Sequence, residues 1–137
     1  LSLRRQRQMC IRDRSNIAKD NLISLRNKKI IQKLNDISSY DLAVLGMGGD
    51  GHFASIFPDC LNTFDAINSQ NNIISFEDEH LKFARISLSL NEILKAKKII
   101  LIASSKNKQS ILSNNKSLPV HHLLNKSPNK IFILSCD

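Results

Sequence analysis

Three compact apolar runs punctuate the chain: Leu42–Leu45 inside Asp41–Gly46, Ile99–Ala103, and the start of Ile131–Cys136. Each is too short for a helix and lacks polar alternation, the pattern of strands buried in a parallel sheet. The stretches between them have a different rhythm. Residues 16–37 carry Ile17, Leu22, Leu25, Ile30, Ile31 and Leu34 at roughly helical spacing among polar residues. His52–Phe57 opens a predicted helix that ends near Pro58, which stops a helix at or before the preceding residue. Residues 59–80 are polar and irregular, with a short strand at Ile73–Phe76. Arg85–Leu90 alternates and is predicted to be extended. Asn91 is placed to cap a helix through Lys98, with Glu92 in its first turn. A further helix is predicted from Lys106 to Ser113, and Pro119 and Pro128 mark a loop region. Apolar strands alternating with helices predict an α/β fold, a mainly parallel sheet with helices on both faces.

Charge changes this picture at one end. Residues 1–14 hold five arginines against Asp13, a net of +4 within a total of +8. Only Arg26 and Arg85 follow in the other 123 residues, which otherwise use lysine. The segment 1–14 therefore reads as a non-native or disordered basic arm, and residues 15–137 as one partial α/β domain. Three strands make a narrow parallel sheet, so further strands are expected on the N-terminal side. The chain has one tyrosine and no tryptophan, without the aromatic–basic interleaving that stacks bases. A non-catalytic basic module contacting nucleic acid through the arginine arm is thus the alternative from another class, and no nucleic-acid partner is expected. Cys10, Cys60 and Cys136 are odd in number and far apart, which points to reduced thiols in a cytoplasmic setting. They also lack the spacing of a structural zinc site. No apolar run approaches the ~18 residues of a membrane span. Nothing in the pattern speaks to oligomeric state.

The chemistry concentrates behind the first strand. All four glycines, Gly46, Gly48, Gly49 and Gly51, fall within six positions directly before His52. In open α/β sheets ligands bind outside the carboxyl ends of the strands, where this turn lies. Glycine permits close approach of backbone to ligand, and free N–H groups at such a turn can hold an anion or oxyanion. Asp50 and His52 project from it, and an imidazole is suited to general base work near neutral pH. A formal G-x-G-x-x-G match at 46, 48 and 51 lacks the acidic residue at a second strand end that a dinucleotide site needs.

The eighteen positions DLAVLGMGGDGHFASIFP (41–58) closely resemble the signature of 6-phosphogluconolactonases, within the group that includes glucosamine-6-phosphate isomerases. The likeness continues more weakly through ARISLSLNEILKAKKIILI, SKNKQSIL and LPVHHLL. It implies a sugar-phosphate isomerase-like α/β fold and hydrolysis of 6-phosphoglucono-δ-lactone to 6-phosphogluconate in the pentose phosphate pathway, without cofactor or metal. The isomerases of the group, the alternative within this fold, carry a carboxylate five residues after the histidine. Here that position is Phe57, which cannot shuttle protons.

By the same resemblance, His52 activates water against the lactone carbonyl and Asp50 orients substrate or His52. Amides near Gly48 and Gly49 steady the oxyanion. Arg85 and Lys108 meet the substrate phosphate, with Lys106 the competitor because Ser105 replaces the usual neighbouring glycine. His122 is assigned to the rim; His80 is expected to be solvated, and Cys60 and Cys136 to pack. His121 and His122 have no third ligand at metal spacing. The family's Gly/Ser/Thr-rich phosphate loop has no counterpart, and residues 15–40 contain no glycine. The chain is therefore expected to be a C-terminal fragment of such a domain, poorly active alone.

Overall fold

A computed structural model describes residues 25, 29–76, 81, 84–114 and 117–135. Residues 1–14, most of the helix expected over 16–37, His80, Cys10 and Cys136 lie outside them. The described order is α1 (Ile30–Asn35), β1 (Tyr40–Gly46), α2 (Thr63–Asn68), β2 (Ile73–Phe76), β3 (Arg85–Leu88) and α3 (Leu90–Ile93). Then follow β4 (Ala96–Ala103), α4 (Lys106–Asn114), α5 (Pro119–Lys126), a 3-10 turn (Pro128–Lys130) and β5 (Ile131–Ser135).

The three apolar runs pair as one parallel sheet in the order β1-β4-β5. Val44 lies opposite Ile100, and Ile100 opposite Phe132. β2 and β3 form a separate antiparallel pair, Ile73 opposite Leu88 and Phe76 opposite Arg85. The expected α/β architecture with a parallel sheet is what forms. Because strand side chains alternate between faces, β4 sends Ile99, Leu101 and Ala103 into the core at 0% exposure. They pack with Phe53, Ile56, Phe76, Leu90, Val120 and Leu123.

The opposite face corrects one expectation. Leu42 and Val44 were expected to be buried but are 50% and 58% exposed, and Ile102, Phe132 and Leu134 share their exposed side. Among the described residues β1 is an edge strand, so its apolar run signals a sheet and not its coverage.

Other local expectations yield to tertiary packing. His52–Phe57 is not helical. Met47 bridges Phe53, Phe53 bridges Ile56, and Ala54 takes a φ of 51°. Burying both Phe53 and Ile56 pinches the chain into a turn, while the Ser55 N–H donates to Ser87 Oγ. The cap near residue 91 is Ser89, whose Oγ accepts from the Glu92 N–H, and its helix is a single turn. Lys97 and Lys98 belong to β4 because pairing with β1 begins at Ala96. α2 forms inside the stretch expected to be irregular. The 119–126 region is helix α5, with Pro119 in its first turn, where a missing N–H is tolerated.

At the N-terminal end of the sheet, the Tyr40 phenol donates to Glu92 Oε1, and Lys95 Nζ lies 2.8 Å from Glu92 Oε2. Burial first, then the hydrogen bond and negative charge of Glu92, hold the Tyr40 phenol well above its usual range. This cluster ties β1 to α3.

Candidate active site

Parallel strands put all their carboxyl ends at one end of the sheet, where the β1 turn and the start of α4 both lie. The β1 turn is locked by its own backbone: Gly48 N–H donates to His52 O at 2.8 Å, and Gly51 N–H to Gly48 O at 3.2 Å. Gly51 sits at φ +80°, a region that side chains rarely adopt. It is also roofed by Leu118, which lies 2.8 Å from where a Cβ would stand, and its carbonyl accepts from Val120 N–H at 3.1 Å. The entry to α5 therefore clasps the turn from outside.

Within this frame His52 and Asp50 meet. Nδ1 of His52 is 2.5 Å from Asp50 Oδ1, and the His52 backbone N–H donates to the same oxygen at 3.2 Å. Partial burial alone would raise the Asp50 carboxyl, but the backbone and side-chain hydrogen bonds from His52 outweigh it. They hold the carboxyl below its usual range. An ionised carboxylate only accepts hydrogen bonds, so the nitrogen facing it, Nδ1, is the one that carries a proton, and the lone pair of a neutral ring is then on Nε2. The pair is half open to solvent, with His52 and Asp50 side chains 30% and 48% exposed.

Gly48 is required here for space. A Cβ at that position would lie 2.2 Å from His52 Cε1 and Nδ1 and 2.6 Å from Asp50 Oδ1. Its N–H is already committed to His52 O, which removes it as an oxyanion donor. The Gly49 N–H has no acceptor among the described residues.

Phe57 is the contact that sequence reasoning missed. Its ring lies 4.6 Å from the His52 ring, centroid to centroid, with the planes tilted by 38°. The sequence showed only that position 57 offers no carboxylate.

The predicted phosphate ligands are less tightly assembled. Arg85 opens β3 opposite Phe76, half-buried, in the antiparallel pair beside the turn. Lys108 lies in the first turn of α4, its N–H 3.4 Å from Ser105 Oγ, and is half-buried where Lys106 is exposed. His52, Asp50 and Gly48 are thus in mutual contact, while Arg85 and Lys108 are held by neighbouring elements. His121 and His122 lie on α5; His121 is buried with no hydrogen-bond partner on either ring nitrogen. Among the described residues no group of three or more His, Cys, Asp or Glu gathers as for a metal. No described helix is long and apolar enough to cross a membrane.

Comparison with known proteins agrees with this fold. The family described as glucosamine-6-phosphate isomerases/6-phosphogluconolactonase matches residues 6–132. A 6-phosphogluconolactonase of Helicobacter pylori is 30% identical over 125 residues, covering 80% of this chain and 54% of that protein. The crystal structure of a 6-phosphogluconolactonase from Shewanella baltica superposes with a TM-score of 0.68 at 25% identity. That match covers 77% of this chain and 48% of the other. The Thermotoga maritima 6-phosphogluconolactonase shares the fold with a TM-score of 0.66 at 23% identity, over 90% of this chain and 59% of its own. The chain spans about half the length of that Helicobacter pylori relative and 38% of the length of a second one.

Proposed function

The chain belongs to the glucosamine-6-phosphate isomerase/6-phosphogluconolactonase family, and from that premise we propose that it carries the hydrolytic half-site of a 6-phosphogluconolactonase. The observation that carries this reading is the His52–Asp50 pair, with Nδ1 2.5 Å from the carboxylate at the carboxyl end of a parallel strand. Asp50 fixes the tautomer, so Nε2 is the nitrogen turned to chemistry. Nε2 takes a proton from a water as its oxygen bonds to the lactone carbonyl carbon. The carbonyl electrons move onto oxygen, and the Gly49 N–H supports that oxyanion. On collapse the ring C–O bond breaks, and the imidazolium returns its proton to the departing ring oxygen. The products are one hydroxyl and one carboxylic acid, which releases its remaining proton to solvent, so 6-phosphoglucono-δ-lactone yields 6-phosphogluconate. Arg85 is the proposed phosphate fork, with Lys108 the proposed second cation.

The isomerase alternative needs an additional proton shuttle near the histidine. The aromatic ring of Phe57 occupies the ring face of His52, and it cannot serve. A lactone is an activated ester, so water, a base and an oxyanion donor suffice. A positioned general base typically contributes ~10²–10⁴-fold. His52→Ala is therefore expected to lower enzymatic lactone hydrolysis by about that factor relative to the unsubstituted protein. Hydrolysis that proceeds undiminished above the spontaneous rate would overturn the reading. Release of ammonia from glucosamine 6-phosphate would instead move the chain to the isomerase branch.

A further inference from the structure

We propose that Phe57 is a positioning residue, the wall that holds the His52 imidazole in its working orientation. This rests on the lactonase reading for its kinetic consequence, but the restraint itself is a property of the folded chain. An imidazole hydrogen-bonded through one nitrogen still turns about its Cβ–Cγ bond. A half-turn exchanges Nδ1 with Cδ2 and Nε2 with Cε1, which removes the basic nitrogen from the substrate side. Asp50 alone is a weak restraint, because its own side chain is 48% exposed.

The site confines the ring on two further sides. Gly48 lies so close that even a methyl group there would collide with Cε1 and Nδ1 at 2.2 Å. Phe57 presents its ring at 4.6 Å and 38°, within the range of favourable aromatic contacts.

Phe57 can act as a wall because it is itself anchored. Its ring meets Phe76 edge-on, with centroids 6.5 Å apart and an interplanar angle of 84°. Phe76 is 1% exposed, so this anchor belongs to the core. The Phe57 carbonyl accepts a hydrogen bond from the Thr63 hydroxyl at the start of α2. Pro58 follows directly and restricts the Phe57 backbone to extended conformations. The orientation of a half-exposed imidazole is thereby referred to the hydrophobic core through two rings.

The experiment compares Phe57→Leu and Phe57→Tyr with the unsubstituted chain by nitrogen NMR of the His52 ring, alongside lactone kinetics and thermal unfolding. In the unsubstituted chain one tautomer, protonated at Nδ1, is expected to dominate. Phe57→Leu is expected to bring the two nitrogen shifts toward averaging and to lower kcat by about 10- to 100-fold with KM little changed. Phe57→Tyr keeps the ring and is expected to restore both. A lowered Tm in Phe57→Leu with unchanged nitrogen shifts would overturn the proposal by showing a purely structural role. Shifts that average in Phe57→Leu while that variant hydrolyses the lactone as fast as the parent would sustain the wall and remove His52 from the lactonase reading instead.

Discussion

At the residue scale the site turns on what does not fit. The glycine cluster was legible in the sequence, and so was the i,i+2 closeness of Asp50 and His52. The reason for Gly48 was not, since amide donation and steric clearance call for the same residue type. The folded turn separates them: the Gly48 N–H is taken, and the space above its Cα is filled by the imidazole. Gly48→Ala is therefore expected to push His52 off Asp50 and lower lactone hydrolysis by about 10²-fold, as a displacement of about 1 Å can. Gly46→Ala is the control, because nothing lies within 4 Å of its added Cβ. Equal activity of the two variants in a lactone assay would refute the steric account. The depressed carboxyl of Asp50 has a signed consequence too: its pairing is intact above the usual ~3.9 of an aspartate and is lost only as pH falls through a lower value.

Among elements, the strands were legible because apolar runs bounded by glycine, serine and lysine have few other uses. Helix boundaries were not. Ser89 lies one position before an alternating strand ends, so only the fold reveals it as the cap and limits α3 to one turn. The region marked by Pro119 and Pro128 reads as a loop from its prolines, although Pro119 is well suited to a first helical turn. The Tyr40–Glu92 link was invisible for a simpler reason: its partners are 52 positions apart. It makes an element-level prediction. Tyr40 keeps its proton longer in the folded than in the unfolded chain, so the stability it contributes is complete below ~10 and falls as pH rises further. Tyr40 is the sole tyrosine, so phenolate absorbance followed against unfolding reports on it directly. Tyr40→Phe is expected to abolish this alkaline loss and to destabilise the chain at neutral pH by about 1–3 kcal/mol, since it strips a buried carboxylate oxygen of its donor. An unaltered alkaline limb in that variant would contradict the assignment.

For the whole molecule, the sheet has two unequal sides. One is the core. The other shows Leu42, Val44, Ile102, Phe132 and Leu134 to solvent. Contiguous apolar surface of this kind promotes association, and β1, an edge strand among the described residues, adds unpaired backbone groups to it. The chain is expected to self-associate as its concentration rises, measured by sedimentation velocity. Val44→Lys combined with Phe132→Lys is expected to suppress this, and a parent chain that stays monomeric throughout would count against it. Sequence patterning predicted the sheet and its parallel pairing. It could not predict which face lies open, because an apolar run reads the same whether its second side is covered or not.

The clasp between Gly51 and the entry to α5 makes the imidazole answerable to a distant piece of chain. Leu118 and Val120 moor the turn that carries His52, though neither touches the ring's chemistry. A cut or a loosening between β4 and α5 would slacken that mooring while the three paired strands stayed in register. Loss of function would then run ahead of loss of fold.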